Sequence, residues 1–566
     1  MKNTMKNTFH KSTFFVALTL SFLFAGCSDY LDVDTDTDSP VVAPLGQVLP
    51  NIQLGVRNFN DFQFYSAEVL SVYVHQFTTR ENPDQYGARP SNIPLNNEWD
   101  NVYLTLNDME ALISAGTESG DLMYVGVTQI LKAYLVSSAV DLWGDIPYSE
   151  ALQLEAGIVG ASFDEQQVIY QSVLDLIDTG KTNIESEEGI EPGSEDLFYG
   201  GNMAQWVRFA NTLKLKLYNQ IKTTSLFNQA DFDALVTDDN FFRSRADDFQ
   251  FDHTANQSPT DERNRLFVSA YGSTQFGDYQ SPWFYEILKG MNPNIFTGIE
   301  DPRIPYYFVN QLVAGQLPPD QGNKDTGDPK ADYWDASTGF YSIRFGSVGP
   351  DRDHSAENST TYPGIFPSGG FFDDNSGPTI DIESGTGVAP HRILTYDEFL
   401  YIKAELIHDG LLSGSAGEML EDAMIASFKK VDEVVAGTGT TQDVPTLSGS
   451  DEEGFYIAGV MAAFEAASPE KQLEIIMTQK WVSTFGDSMD QYTDYRRTGY
   501  PVLADPAGSS PEYQLNNNDG FPLDDGVTVQ NNAFQLSIFW PQNELNLNQN
   551  APAQKSPATY KIFWDN

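Results

Sequence analysis

"ILKAYLVSSAVDLWGDIPYSEAL", residues 130–152, is the stretch that decides the fold. Its first part continues a helix that we predict over residues 121–141, because apolar side chains recur there at helical spacing. By the same criterion, helices are predicted over residues 203–221 and 416–433. The sequence therefore predicts a chain that is mainly α-helical in both of its outer thirds.

Two further helices are predicted from their capping residues. Ser162 and Glu165 have the spacing of a capping box, and an apolar face that includes Val168 follows them. Thr395 and Glu398 have the same spacing ahead of a second apolar face. We expect a helix to begin at each of these two boxes.

The charge of the chain limits its partners. Eighty acidic residues stand against 32 basic ones, which gives the 566 residues a formal net charge of −48. Such a charge repels nucleic acid and anionic lipid headgroups, so a nucleic-acid-binding function is excluded. It favours solubility and is compatible with many neutral ligands.

The first 26 residues have the pattern of an export signal, with lysines ahead of an apolar run that ends at Phe24. Cys27 is the single cysteine of the chain, so it cannot form an internal disulfide. The stretch "LFAGC", residues 23–27, is similar to a bacterial lipobox. We expect residues 1–26 to be removed as a lipoprotein signal peptide, Cys27 to carry the lipid, and residues 27–40 to form an acidic tether. No membrane-spanning segment is expected in the mature chain.

The middle of the chain has a different composition. From about residue 241 to residue 392 it is rich in Gly, Pro, Asp, Asn and aromatic residues, with few long periodic runs. Aromatic side chains bury about 150 Å² or more each, so such a segment is not expected to be a disordered linker. We predict an ordered, loop-rich lobe laid over the helical scaffold.

Motifs of common catalytic and metal sites are missing from the sequence. No two of the six histidines have the spacing of a helical zinc pair, and no Gly-x-Ser-x-Gly motif occurs. We therefore expect no cofactor and no metal site, and covalent hydrolases lose most of their support. A pair of glycosidase carboxylates stays possible, because 80 acidic residues make it impossible to exclude by counting.

Aromatic clusters and planar polar side chains suggest a ligand. "YGSTQFGDYQSPWFY", residues 271–285, has six aromatic residues in fifteen positions, where the chain average of 13% predicts about two. The loop at residues 75–97 is rich in Gln, Asn and Arg around a tyrosine. Aromatic faces stack on sugar rings, and amides and guanidinium groups bind hydroxyls, so the pattern suits a neutral, polyhydroxylated ligand. The alternative is that these aromatics attach the lobe to the helices and that the loop is merely solvated.

The residues at 130–152 closely resemble the SusD/RagB family of nutrient-binding outer-membrane lipoproteins. "HRILTYDEFLYIKAELIHDG", residues 391–410, and "QKWVSTFGDSMDQYTDYRRTGYPVL", residues 479–503, are similar to two further motifs of the family. "DYLDVDTDTDSP", residues 29–40, resembles the usual start of the mature chain, whereas residues 539–548 match only loosely. The resemblance covers nearly the whole mature chain.

The resemblance implies a mainly α fold, with a scaffold of tetratricopeptide-like helical pairs and a large irregular lobe. Members bind oligosaccharides, or peptides in some cases, at the cell surface, and they cap a SusC-like, TonB-dependent transporter in the outer membrane without catalysing a reaction. In the stretch at 130–152, the resemblance indicates fold determinants that form a helix end, a turn and packing contacts. These residues are Trp143, Gly144, Asp145, Pro147 and Tyr148.

The resemblance also suggests where the ligand binds. In starch-binding relatives, the chain region that corresponds to residues 75–97 contributes to glycan binding, so we predict ligand contacts from Arg80, Asp84 and Tyr86. Three aromatic side chains of the lobe are predicted as stacking platforms: Tyr279, Trp283 and Trp334.

The body of the protein, residues 41–566, is expected to divide into three parts: a helical scaffold at 41–240 and 393–500, a lobe at about 241–392, and a C-terminal extended segment at 501–566. The sequence predicts a surface lipoprotein that captures oligosaccharides and delivers them to the transporter. Its acidity suggests a marine β-glucan such as laminarin as the glycan. A peptide-binding, RagB-like lipoprotein is the alternative, and a surface glycosidase is a third.

Overall fold

The computed structural model describes residues 43–79, 82–273, 277–293, 295–318, 332–346, 359–504 and 531–565. Over these residues the fold is mainly α-helical, as predicted, with seventeen helices and ten strands of two to four residues. The helices are α1 (Leu45–Asn58), α2 (Ala67–Tyr73), α3 (Ile93–Ser119), α4 (Leu122–Trp143), α5 (Gln166–Glu185), α6 (Met203–Ile221), α7 (Gln229–Asp238), α8 (Arg265–Gly272), α9 (Pro282–Leu288), α10 (Ile304–Tyr307), α11 (Ile365–Ser368), α12 (Tyr396–His408), α13 (Ala416–Gly437), α14 (Asp451–Glu465), α15 (Pro469–Ser483), α16 (Ser488–Thr498) and α17 (Gln542–Leu547).

The strands form five separate antiparallel pairs. They are β1 (Phe77–Thr78), β2 (Ile146–Pro147), β3 (Phe163–Asp164), β4 (Phe249–Phe251), β5 (Tyr279–Gln280), β6 (Phe308–Val309), β7 (Asp332–Trp334), β8 (Tyr341–Ile343), β9 (Tyr362–Pro363) and β10 (His391–Leu394). Three pairs join segments that are distant in sequence: β1 with β5, β4 with β10, and β6 with β9. Each of these three pairs holds a loop of the middle region in a fixed register.

Helix α4 lies at the centre of the scaffold, where it packs against α3 and α5. It is long and apolar enough to cross a membrane, but 89% of its most apolar 18-residue stretch is buried inside the protein, as in the core helix of a globular domain. Gly126 and Gly180 let α4 and α5 approach closely, since a Cβ on Gly126 would lie 2.5 Å from the carbonyl oxygen of Gly180. The two glycines therefore set the spacing of this helical pair.

The residues that follow α4 make the predicted helix end and turn. Gly144 has a φ of +73°, and its N–H donates to the carbonyl of Val140 over 2.7 Å, which ends the helix. The carboxylate of Asp145 accepts a hydrogen bond from the N–H of Gln166, the first residue of α5 (3.0 Å). Trp143 is buried and meets the Trp99 ring edge-on at 5.2 Å. The motif therefore links α4 to α5 and packs them on α3.

The family-like stretch at residues 479–503 contributes buried cations to the scaffold. The Arg496 guanidinium lies 3.9 Å from the Tyr492 ring centroid and donates to the carbonyl of Asp141 over 2.7 Å. Arg497 forms a bidentate ion pair with Glu405 on α12, and both side chains are buried. These contacts tie α16 to α4 and α12.

The two capping-box predictions are only partly correct. Helix α5 begins at Gln166 with Glu165 in the capping position, and Ser162 lies outside the helix. Val168, which we assigned to the buried face, is 57% exposed. Thr395 does occupy the capping position of α12, but its side chain makes no capping hydrogen bond. Glu398 instead lies 3.2 Å from the ammonium group of Lys480 in the interior of the scaffold, where burial raises the pKa of its carboxyl group.

The described part of the C-terminal segment, residues 531–565, lies on the helical scaffold. The indole N–H of Trp540 donates to the carbonyl of Asp145 (2.9 Å), and that of Trp564 donates to the carboxylate of Asp141 (2.9 Å). Both indoles are buried. The end of the chain therefore covers the junction of α4 and α5.

Candidate ligand-binding cleft

A cleft of about 590 Å³ opens where the polar loop at 75–97 meets the aromatic-rich stretch at 271–285. The pairing of β1 with β5 brings the two segments together, with Phe77 opposite Gln280 and Thr78 opposite Tyr279. Helix α2 and the start of α3 form the remaining walls. We call it the β1–β5 cleft. Both segments that the sequence singled out therefore contribute to one concave surface.

The polar lining of the β1–β5 cleft includes charged, amide and hydroxyl side chains: Glu68, Ser71, Thr78, Thr79, Arg89, Ser91, Asn92, Ser269, Ser273 and Asp278. Glu68 accepts a hydrogen bond from the N–H of Phe64 (2.7 Å), and Asp278 accepts one from the Ser269 hydroxyl (2.6 Å). Burial, together with repulsion from Asp278, raises the pKa of Glu68 to about 7. Burial also raises the pKa of Asp278. The cleft can therefore donate and accept hydrogen bonds, and neither Glu68 nor Asp278 has an ion-pair partner among the described residues.

Two exposed apolar side chains stand at or beside the rim of this cleft. Ile93, the first residue of α3, lines the cleft and is 66% exposed. Phe64 precedes α2 and is 60% exposed, and its backbone has a φ of +85°, a conformation that a bulky residue rarely adopts. The hydrogen bond from its N–H to Glu68 places Phe64 next to the cleft wall. An exposed ring held in a strained backbone conformation is typical of a functional position.

The structure places two of the predicted ligand residues below the surface. Tyr86 is buried, its hydroxyl group lies 2.9 Å from Nε2 of His75, and its ring meets that of Tyr73 edge-on at 5.3 Å. Asp84 is fully buried in a short 3₁₀ helix at Asn82–Gln85. Both residues shape the loop beneath the cleft. A direct contact of either side chain with a ligand stays a prediction.

The three predicted stacking platforms are also covered by protein. Trp283 is 1% exposed, and its indole N–H donates to the carbonyl of Val502 (3.0 Å). Tyr279 is buried within β5, and Trp334 packs with Leu312 and Tyr341 in a small cluster. None of the three offers an open ring face, because the lobe uses these rings for its own packing. Arg80 and Cys27, the other two predicted functional residues, lie outside the described residues.

One group of carboxylates has a spacing that could hold a metal ion. Oxygen atoms of Glu398, Asp487 and Asp490 lie within 4.8 Å of one another in the interior. Lys216 lies 2.5 Å from Asp490, and Lys480 lies 3.2 Å from Glu398, so two ammonium groups already supply positive charge. Burial and the nearby Asp490 raise the pKa of Asp487 to about 8, which indicates that this carboxyl group is protonated at neutral pH. Lysine ammonium groups and a bound proton therefore balance the negative charge of these three carboxyl groups.

Phe64, Ile93 and Glu68 were not predicted as site residues from the sequence. A signal for Phe64 was present, since "FNDFQFY", residues 59–65, has four aromatic residues in seven positions. The exposure of one ring among those four depends on the tertiary fold. Glu68 gave no signal, because nothing in a sequence separates it from the other acidic residues of this chain.

Comparisons with known proteins agree on the family. The family model described as "Starch-binding associating with outer membrane", of the SusD-like type, matches residues 38–522. No curated protein matches the chain significantly in sequence. Solved structures do match the fold of this chain.

A SusD homologue from Bacteroides fragilis superposes with a TM-score of 0.64 at 17% identity, over 92% of this chain and 99% of the homologue. A chitin-binding protein superposes with a TM-score of 0.63 at 20% identity, over 92% of this chain and 100% of its own. A chitin-binding SusD homologue from Flavobacterium johnsoniae superposes with a TM-score of 0.61 at 18% identity, over 91% of this chain and 98% of the homologue. At such identities the superpositions establish the fold alone, and the family model establishes membership: the chain belongs to the SusD-like family.

Proposed function

We propose that this protein is a lipid-anchored glycan-binding protein of the cell surface, which captures oligosaccharides in the β1–β5 cleft and passes them to a SusC-like, TonB-dependent transporter. The observation that carries the proposal is the cleft itself, where hydroxyl, amide and guanidinium groups lie beside the exposed side chain of Ile93, and where the backbone of Phe64, whose ring is exposed, is bound to Glu68 of the wall. Such a surface can stack on a sugar ring and hydrogen-bond its hydroxyls. The starch-binding description of the family and the chitin-binding homologues support the same ligand class.

The partner and the anchor are separate parts of the proposal. Cys27 within its lipobox-like stretch would attach the protein to the outer membrane. A surface for the transporter is suggested by Leu154, Val159 and Leu547, three exposed apolar side chains. The segments that carry them are neighbours, because Asn548 donates to the carbonyl of Ala161 over 2.8 Å. Exposed apolar patches of this kind are typical of protein interfaces.

Native affinity gels test glycan binding. The full mature chain, with Cys27→Ala to keep it free of lipid, is run through gels that contain laminarin, amylopectin, glycol chitin or xylan. Retardation by at least one of these neutral glycans is expected, and it should weaken for Arg89→Ala, which removes a guanidinium from the cleft wall. No retardation in any gel would overturn the glycan proposal.

Anchoring and delivery are tested in the producing cell. Cys27→Ala should move the protein from the membrane fraction to the soluble fraction while glycan retardation stays unchanged. Val159→Asp combined with Leu547→Asp should reduce copurification of the transporter without changing retardation, because a charge in an apolar interface is poorly solvated. Unchanged membrane association in the first case, or unchanged copurification in the second, would contradict the corresponding part of the proposal.

The peptide-binding alternative is favoured by one specific observation. Among the described residues that line the β1–β5 cleft, Glu68, Asp278 and Arg89 are charged, and Phe77 is the single aromatic residue. Two carboxyl groups in one cleft could accept hydrogen bonds from the ammonium group or the basic side chain of a peptide. Glu68→Gln with Asp278→Asn should then abolish binding of a lysine-containing peptide, whereas glycan retardation should change little. Calorimetry with both ligands distinguishes the two functions.

A further inference from the structure

A second and larger cleft, of about 820 Å³, lies on a different set of segments. One wall is a face of α14, where Glu452, Phe455, Tyr456 and Gly459 recur at helical spacing. The opposite wall is the segment from residue 298 to residue 305. We call it the α14 cleft. The described residues that line it include none of those that line the β1–β5 cleft.

The α14 cleft displays an aromatic ring to solvent. Phe455 is 78% exposed, whereas its neighbour Tyr456 is buried and supports the helix from below. Gly459, one turn further along α14, lies against Ile299 of the opposite wall, since an added Cβ would stand 3.2 Å from that side chain. The glycine therefore lets the two walls meet at the base of the cleft, and the ring of Phe455 stays uncovered above it.

The opposite wall is rigid. Asp301 and Arg303 form a fully buried ion pair of 2.6 Å, and the guanidinium also donates to the Ser427 hydroxyl (2.8 Å). The same guanidinium lies 4.7 Å from the Phe428 ring centroid and 5.7 Å from that of Tyr456. Arg303 thus ties this wall to α13 and α14, so the cleft is preformed and little ordering is needed when a ligand enters.

Polar side chains surround the exposed ring, and they carry mostly acceptor groups. Glu452, Glu300 and Asn375 are exposed, and Lys289 pairs with Glu300 at 2.5 Å. Asp373 is buried in the wall and accepts hydrogen bonds from the N–H groups of Asn310 (3.1 Å) and Asn375 (2.9 Å). Carboxylate and amide oxygens accept from sugar hydroxyls and repel anionic ligands.

We propose that the α14 cleft is a second binding site for neutral sugars, with Phe455 as its stacking platform and Glu452 and Asn375 as hydroxyl-binding groups. The ligand class rests on the proposed function, but the site is independent of the β1–β5 cleft. Two sites on one chain would bind a long polysaccharide more tightly than either site binds a short oligosaccharide, because the second contact is made at a high effective concentration.

Calorimetric stoichiometry tests the second site. Laminarihexaose and chitohexaose are titrated into the mature chain and into Phe455→Ala, Phe64→Ala and the double variant. Leu104→Ala, an equally exposed apolar residue on α3 that lines neither cleft, is the control. All the substituted side chains are exposed, so each variant should keep the fold.

The expected result is two sites for the wild type and for Leu104→Ala, and for Phe455→Ala one site of unchanged affinity and one site weakened about two- to tenfold. The matching polysaccharide should retard Phe455→Ala several-fold less than the wild type. A wild-type stoichiometry of one that Phe455→Ala leaves unchanged, with binding weakened in Phe64→Ala, would overturn the second site and leave the proposed function intact. Binding of neither hexasaccharide to the wild type would overturn the proposal for both clefts.

Discussion

Thr78 pairs with Tyr279 across a two-residue antiparallel strand pair, and this pairing creates the β1–β5 cleft. Thr78 lines the cleft, and its buried hydroxyl group has no hydrogen-bond partner in the described part of the chain. The backbone of Tyr279 holds the opposite wall, while its ring points into the core of the lobe. Ligand contacts are therefore expected from side chains at the rim, above this strand pair, and not from the aromatic rings below it.

The first prediction concerns Phe64. Phe64→Ala should weaken glycan binding about two- to tenfold, because one aromatic stacking contact contributes about 0.5 to 1.5 kcal/mol. Calorimetry with the glycan that retards the wild type provides the measurement. Leu104→Ala removes a comparably exposed apolar side chain far from the cleft lining and should leave the affinity unchanged. Equal affinity of Phe64→Ala and the wild type would exclude Phe64 as a contact.

The second prediction concerns Trp283, which the sequence suggested as a stacking platform. Trp283→Ala should lower the free energy of unfolding by about 3 to 5 kcal/mol, since it leaves a large cavity in the core. Trp283→Phe keeps most of the volume and should be milder, although it loses the hydrogen bond to Val502. Urea unfolding measures both variants. If Trp283→Phe is folded but binds glycan much more weakly than the wild type, the indole does contact the ligand.

The helical scaffold could be predicted from the sequence because helices leave a local pattern. Residues 203–221 were predicted as a helix, and α6 spans Met203–Ile221, since its apolar side chains recur with the period of the helix itself. The cap at Ser162 failed because a side chain outside the box binds one of its groups: the N–H of Ser162 donates to the carboxylate of Glu150 (2.8 Å). The family motif at 130–152 identified the fold because its buried residues, such as Trp143, pack α4 against the neighbouring helices.

The site could be predicted only as two segments. Composition indicated that residues 75–97 and 271–285 matter, and their meeting at one cleft agrees with that indication. The exposure of individual side chains within these segments could not be predicted, because it depends on contacts between residues that are hundreds of positions apart in sequence. Trp283 reaches Val502, and Tyr86 is covered by Phe345 and Phe534. No local pattern contains that information.

The third prediction compares two helical glycines. Gly126→Ala should destabilise the protein by about 1 to 3 kcal/mol, because the added methyl group would stand 2.5 Å from a backbone oxygen of α5. Gly454 on α14 has nothing within 4 Å of an added Cβ, so Gly454→Ala should stabilise the protein by about 0.5 to 1 kcal/mol. Thermal unfolding of both variants shows opposite shifts in Tm if the close contact of α4 and α5 is correct.

The last prediction concerns the pH dependence of stability and Glu98 on α3. One carboxylate oxygen of Glu98 accepts three hydrogen bonds, from the N–H of Asn60 (2.9 Å) and from the N–H (3.1 Å) and hydroxyl (2.7 Å) of Ser66. Burial raises the pKa of Glu98 from 4.5 to about 7 in spite of these donors. The folded protein therefore binds a proton that the unfolded chain releases near pH 4.5. The contribution of the protonated Glu98 carboxyl group to the free energy of unfolding is fully present below pH 4.5 and is lost as the pH rises through about 7.

Glu98→Gln keeps an acceptor oxygen for the three donors and cannot ionise. Its free energy of unfolding should match that of the wild type near pH 4 and exceed it by about 2 to 3 kcal/mol at pH 8. Urea unfolding between pH 4 and pH 8 measures the difference. Other buried carboxyl groups with raised pKa values, such as Asp248, affect both proteins equally and cancel. Glu421→Gln, at an exposed position on α13, should follow the wild type throughout. If Glu98→Gln also follows the wild type at every pH, Glu98 is ionised in the folded protein, and the three hydrogen bonds outweigh its burial.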